Sequence, residues 1–261
     1  MAVTDDAIRP ANAGDEGRVC RASPYLPPTR GKLGEAFVRI RARTTYRIWK
    51  RVIAKYCKSV KTASSGPFLL DVGCGCGRFL YALRAWFPKA TLYGLDLSTD
   101  LLDSASKRVA DTTWVQADGE QLPFADATFD IISCLQVTEH LQRPGEFLRE
   151  SHRVLIPGGL LLLATPNPRG LAARILAERW QGIREDHVSL KTPNEWRHML
   201  AETGFMILSE GTTLLSGLPL LRMFPIGIPF QAAQAVFGYF PWSLGESFMA
   251  VARKIPDHAV D

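Results

Sequence analysis

Between residues 67 and 134 the hydrophobic pattern switches between two periods. Short apolar runs of strand length, 67–72, Thr91–Asp96, 113–117 and Phe129–Cys134, end at acidic, small or turn-forming residues. Between them, Phe79, Leu80, Leu83, Trp86 and Phe87 recur at helical spacing and predict a helix over 77–86. A second helix is predicted over 99–109, with Ser98 suited to its N-cap. Further on, Pro144–Leu155 reads as a helix with Phe147, Leu148, His152 and Leu155 on one face. Ile156-Pro-Gly-Gly159 then turns into a strand, Leu160–Ala164, and Leu171–Trp180 reads as a helical insertion. Thr192-Pro-Asn-Glu195 is a capping box with proline at the first helical position. Gly204–Glu210 and Glu246–Arg253 complete the predicted strands. Strands alternating with helices predict an α/β fold built on a mostly parallel sheet.

The flanks break this pattern. Residues 1–30 are rich in Pro, Gly, Ala, Asp and Arg, with no apolar period and no continuous apolar core of a secretion signal, and are expected to form a disordered tail. In 31–61, Phe37, Ile40, Tyr46, Ile48, Trp49, Val52, Ile53 and Tyr56 interleave with arginines and lysines, a basic amphipathic helix broken near Thr44-Thr45. Residues 214–242 are unusually apolar, yet Arg222 and prolines 219, 225, 229 and 241 leave no clean membrane span. A dry substrate lid, a dimer contact and a shallow membrane dip remain open for that insertion. Residues 62–261 form the remaining domain.

Charge sharpens the picture in one place. The net charge is +5, but Arg30 to Lys61 holds eleven Lys or Arg against the single acid Glu35, so the rest is slightly acidic. Three readings of the basic helix stay open: packing on the domain with a solvated basic face, contact with an anionic membrane surface, and contact with nucleic-acid phosphates. Hydrophobic content of 46% and charged content of 22% are ordinary for a globular chain long enough to bury a full core. Five cysteines (20, 57, 74, 76, 134) make no disulfide pattern, which suits a reducing, cytoplasmic setting, with membrane association as an open alternative.

The candidate chemistry gathers around Phe68-Leu-Leu-Asp71-Val-Gly73-Cys-Gly75-Cys-Gly77-Arg-Phe-Leu80. Glycines 73, 75 and 77 allow a sharp turn and a close ligand approach. A strand, glycine loop and helix in this order set a nucleotide-like ligand near a helix N-terminus. Asp71 is placed to bond a cationic amine or to order the loop. Asp96 ends the next strand, where an acid accepts from ribose hydroxyls. The Gly-x-Gly-x-Gly spacing differs from that of nicotinamide binders, which makes an oxidoreductase the weaker reading.

Leu69–Phe79 resembles motif I of class I S-adenosylmethionine-dependent methyltransferases, and Leu95–Leu97 resembles the acidic loop that follows it. The likeness continues through Ala117-Asp118-Gly-Glu-Gln-Leu-Pro-Phe124, Phe129-Asp130-Ile-Ile-Ser-Cys134 and Val154-Leu-Ile-Pro-Gly-Gly159, spanning residues 45–210 and the last strand. It implies a Rossmann-like seven-stranded sheet with helices on both faces and the last strand antiparallel. It also implies S-adenosylmethionine as cofactor, held by Asp71, Gly73, Gly75, Gly77, Asp96, Leu97, Asp118, Gly119 and Gln136, with Asp118 accepting from the adenine amino group. In such enzymes, helices ahead of motif I often cover the substrate pocket. The acceptor expected here is small and lipophilic, with O-methylation favoured over C-methylation. An RNA methyltransferase and a non-catalytic cofactor-binding scaffold are the rivals; nucleic acid is the less expected partner, and the oligomeric state is not read from the sequence.

His140 and His187 are the base candidates. Similar quinone O-methyltransferases carry Glu-x-x-Glu-His, linked to a divalent metal, where this chain has Gln136, Glu139 and His140. Losing one carboxylate weakens a hard-cation site, and Cys74-Gly-Cys76 has the wrong spacing for a zinc knuckle. No metal is expected. Asn167, in Thr165-Pro-Asn-Pro, is a candidate substrate contact.

Overall fold

Apolar side chains on alternate positions of each strand face opposite sides of one sheet, and helices cover both sides. The computed structural model describes residues 46, 48–56, 66–180, 182–213 and 243–256. The expected tail 1–30 and apolar insertion 214–242 lie outside them. The strands are β1 (Phe68–Val72), β2 (Thr91–Asp96), β3 (Thr112–Gln116), β4 (Phe129–Leu135), β5 (Leu155–Pro166), β6 (Phe205–Thr212) and β7 (Ser247–Lys254). The helices are α1 (48–56), α2 (Arg78–Trp86), α3 (Thr99–Ser106), α4 (Pro144–Val154), α5 (Leu171–Leu176) and α6 (Pro193–Glu202).

The sheet order is β3-β2-β1-β4-β5-β7-β6. β1 to β5 run parallel, and β7 inserts antiparallel between β5 and β6. The strand order reverses between β1 and β4, and a crevice at such a switch point is where open α/β sheets bind ligands. On one face, Leu69, Leu92, Ile131, Leu160 and Leu162 meet α1, α2 and α3. On the other, Leu70, Ile132, Leu161, Leu163 and Ala250 meet Phe147 and Leu148 of α4 and Trp196 and Leu200 of α6.

The apolar face of α1 belongs to this core. Ile48, Trp49, Val52 and Ile53 are buried, while Lys50, Arg51 and Lys55 are exposed. Burying each large apolar side chain contributes about 1.5–3 kcal/mol, well above the roughly 1 kcal/mol per basic residue that an anionic membrane offers. The apolar residues of this part of 31–61 are therefore committed to the core, and its basic residues are the ones left at the surface.

Three element boundaries differ from expectation. β5 starts at Leu155, because Leu155 pairs with Phe129 and Pro157 to Gly159 form a bulge inside the strand, with Gly158 at φ +81. The helix predicted over 99–109, α3, stops at Ser106. The helix expected over Leu171–Trp180 ends at Leu176, where Ala177 adopts φ +45 and a 3-10 turn, Ala177–Arg179, follows. The expected capping box is present: Thr192 accepts from the Glu195 backbone, and the Glu195 carboxylate accepts from the Thr192 backbone.

Candidate active site

The loop after β1 is shaped by its glycines and by one carboxylate. A Cβ on Gly73 would lie 2.3 Å from Val137 Cγ2, so the backbone approaches the β4 loop as only glycine allows. Gly75, at φ +52, differs: a Cβ there would meet nothing within 4 Å, so the loop crest borders open space. Leu95 O accepts from the Gly73 and Cys74 amides, tying the loop to the end of β2. Asp96 Oδ2 accepts from Gly75 N at 2.8 Å, and its Oδ1 accepts from Ser98 N at 3.0 Å. Each oxygen keeps a second lone pair for a ligand hydroxyl. Asp96 thus also orders the loop, a role expected of Asp71 instead.

Asp71 lies deeper. It is 4% exposed, and Ser133 Oγ donates to its Oδ1 at 2.6 Å. Burial pushes its carboxyl up to about 7, the Ser133 hydrogen bond opposes this, and the charge of Asp96 adds to it. A carboxyl held in that range is poised to receive a cation. Tyr46, just ahead of α1, feels Arg78, Asp71, Cys76 and Arg108, which brings it beside this loop, and burial pushes its phenol up to about 12. Its ring packs 5.5 Å from Phe79. Sequence reading placed Tyr46 in an amphipathic pattern and missed its position at the loop. No local motif marks it, because only folding joins it to residues some thirty positions away.

Leu97 is 66% exposed beside Asp96, an apolar side chain left in the open at the crevice. Asp118 Oδ1 accepts from Glu120 N at 2.9 Å, so the turn-forming role is real, and the carboxylate remains exposed. A Cβ on Gly119 would lie 2.9 Å from Val72 Cγ1, so glycine lets this turn sit against β1. The loop beyond is braced: Arg143 meets the buried Glu120 at 2.9 Å, and Arg153 donates to the carbonyls of Leu122 and Phe124. α2 begins at Gly77 with no side-chain cap, so its first amides point toward the loop.

The end of β4 carries the second half of the site. Gln136 sits at φ +61, a left-handed conformation that costs a glutamine about 1 kcal/mol or more. Its amide donates to Ala164 O at 2.7 Å. The chain then makes a 3-10 turn, Thr138–His140, that brings Glu139 and His140 together with His187 from a distant loop. The rings of His140 and His187 meet edge to face at 4.8 Å. Ser189 N donates to Glu139 O, fixing the two segments. Glu139 is fully buried, and Thr165 Oγ1 lies 3.4 Å from its Oε2. His140 Nδ1 lies 2.9 Å from Asp186 O and 3.5 Å from its carboxylate, with 34% of the His140 side chain exposed. His187 is buried, its Nδ1 2.7 Å from Gly182 O, and burial holds its imidazole below the usual range. A carbonyl only accepts, so both rings carry their proton on Nδ1 when neutral and present the Nε2 lone pair. Sequence reading had both histidines but not their contact.

Asn167 does something else. It is fully buried, donates to Ser243 O and Gly245 O, and accepts from Arg169 N. It clamps the entry to β7 and does not face an acceptor.

Fold and geometry together give an α/β domain with an open crevice at the switch point of its sheet, the place where such sheets bind nucleotide-like ligands. Residues 70–163 match the family model described as a methyltransferase domain. Over that stretch the chain is similar to class I S-adenosylmethionine-dependent methyltransferases. It is 38% identical over 106 residues to a fatty-acid O-methyltransferase of Mycolicibacterium smegmatis, covering 40% of this chain and 39% of that protein. It is 36% identical over 135 residues to a ubiquinone/menaquinone biosynthesis C-methyltransferase of Roseobacter denitrificans, covering 47% of this chain and 52% of that protein. The chain spans about half or less of these relatives' lengths. Among solved structures, the plantazolicin methyltransferase BpumL, in complex with a pentazolic desmethyl analogue and S-adenosylhomocysteine, aligns with a TM-score of 0.60 at 17% identity. That alignment covers 92% of this chain and 96% of the other, and shows the shared fold. The family's cofactor is S-adenosylmethionine, and the residues present fit it: open space at Gly75, an acid at the β2 end, an exposed apolar neighbour and a buried acid near neutrality.

Proposed function

We propose that this protein transfers a methyl group from S-adenosylmethionine to a small lipophilic acceptor, with oxygen favoured over carbon. The observation that carries the reading is the Glu139, His140 and His187 cluster beside the end of β4, two residues past Val137, which packs on the glycine loop. When bound, the cofactor supplies an electrophilic methyl on a sulfonium, so the protein's work is alignment, water exclusion and proton handling. Asp96 holds the ribose, Leu97 and the Asp118-Gly119 turn border the adenine, and Asp71 faces the amine. Gln136, strained at the end of β4, and Tyr46 flank the methionine end. His140 Nε2 accepts the acceptor's proton, while Asp186 fixes the ring through Nδ1 and His187 packs against it. A phenol or enol needs such a base more than a thiol does, which supports an oxygen or carbon acceptor.

The apolar 214–242 stretch supports a lipophilic acceptor, as does the fatty acid in the name of one relative. Among the described residues, no helix is long and apolar enough to cross a membrane. The test is to incubate purified full-length protein and cell extract with S-adenosylmethionine labelled on its methyl group, then separate lipid, RNA and protein. Label in the organic phase is expected. Label in RNA would overturn the acceptor class, and cofactor binding without label in any fraction would favour a scaffold.

A further inference from the structure

We infer that Arg108 and Gln116 are positioning residues for the cofactor, because the segment that carries them holds both loops bordering the crevice. Arg108 follows the end of α3, and Gln116 is the last residue of β3. Arg108 Nε donates to Cys76 O at 3.0 Å, and Gln116 Nε2 donates to Leu97 O at 3.1 Å. The first bond reaches the glycine loop after β1. The second reaches the residue that follows Asp96 at the end of β2. Each side chain acts through the backbone it holds, and the inference rests on the cofactor reading above.

The glycine loop needs such a hold. Gly73, Gly75 and Gly77 all lie at positive φ, and glycine loses more freedom on ordering than any other residue. The first half of the loop is fixed from β2: Leu95 O accepts from the Gly73 and Cys74 amides, and Asp96 accepts from the Gly75 amide. The second half is fixed from the α3–β3 segment. A Cβ on Gly77 would lie 3.1 Å from Ala105 Cβ and 3.2 Å from the Trp114 ring, so this glycine sits close against both elements. Between Gly75 and Gly77, the Arg108 guanidinium takes the Cys76 carbonyl. In the other loop, Leu97 is exposed and gains little orientation from packing, so the Gln116 bond to its carbonyl sets how it faces the crevice. The segment has its own anchor, because Arg84 of α2 donates to Asp111 O at 2.6 Å and to Ala90 O at 2.8 Å. Loops held in their bound shape before a ligand arrives lose less freedom on binding, which raises affinity.

The experiment measures S-adenosylhomocysteine affinity by calorimetry and loop opening by deuterium uptake in full-length variants. Arg108→Met keeps the length of the side chain and has no donor. Arg108→Gln sets an amide N–H where Nε stood and carries no charge. Arg108→Met should bind roughly tenfold more weakly than wild type, and Arg108→Gln should recover part of that loss. Deuterium uptake should rise in the glycine-loop peptide of Arg108→Met while its melting temperature stays near wild type. Gln116→Met, at an exposed position that folding tolerates, should weaken binding about threefold and raise uptake in the peptide that holds Leu97. Wild-type affinity in both methionine variants would overturn the inference alone. So would equal losses in Arg108→Met and Arg108→Gln, which would take the hydrogen bond out of the effect, or uptake raised evenly along the chain, the mark of general destabilisation. A wild type that binds no S-adenosylhomocysteine would overturn the cofactor reading and this inference with it.

Discussion

Replacing Asp71 with asparagine should make the protein more stable and worse at holding its cofactor. The carboxyl is 4% exposed, and burial raises it to about 7, well above the 3.8 of a free aspartate. Below pH ~4 both folded and unfolded chains hold the proton. From about 4 to 7 the unfolded chain releases it while the folded chain keeps it, so stability falls as pH rises. Above about 7 both are ionised and the penalty is constant. At roughly 1.4 kcal/mol per unit the ceiling is about 4 kcal/mol. Asparagine is nearly isosteric, still accepts from the Ser133 hydroxyl, and does not titrate. Urea unfolding of both proteins from pH 4 to 8 should show Asp71→Asn gaining on wild type by about 1–4 kcal/mol across that window. A cation bound at Asp71 favours the ionised form. Wild-type affinity for S-adenosylhomocysteine should therefore rise with pH up to about 7 and then level, while the variant's stays flat and weaker. A stability difference that does not change with pH would refute the reasoning, because it would mean that burial does not penalise the charge.

Two glycine substitutions and one at the base should separate further. Gly75→Ala places its Cβ in open space, so the protein should fold, at a cost of about 1 kcal/mol for its φ of +52, and lose cofactor affinity measured by calorimetry. Gly73→Ala drives a Cβ into Val137 and should lower the melting temperature more than Gly75→Ala does; equal shifts would contradict the packing argument. His140→Ala should lower kcat by roughly 10²–10⁴ with S-adenosylhomocysteine affinity unchanged.

The parts of this molecule that a linear reading reaches are those specified locally. The glycine loop, the acid ending β2 and the capping box at Thr192 depend on neighbours within a few residues, and all three are where the pattern put them. The bulge at Pro157 to Gly159 was read as a turn because Pro-Gly-Gly looks the same in both, and only the pairing of Leu155 with Phe129 decides. Asn167 follows a strand at the ligand edge, where a substrate contact was a fair expectation, but the return of the chain at Ser243 to Gly245 engages its side chain. Tyr46 at the loop, and Glu139 with His140 and His187, come from segments far apart in sequence. Their approach follows from how α1 packs on the sheet and how the loop before α6 crosses the end of β4, which no single segment encodes.

The central claim is that the crevice between the β1 loop and the β2 end holds the cofactor. Calorimetric titration of the full chain with S-adenosylhomocysteine, wild type beside Asp96→Ala, tests it most directly. Removing that carboxylate takes away the ribose acceptors and frees the Gly75 and Ser98 amides, with charged hydrogen bonds contributing about 1.5–3 kcal/mol each. One-to-one binding by wild type and a loss of at least roughly tenfold in the variant are predicted. Absence of binding by wild type, or equal affinity in both, would contradict it.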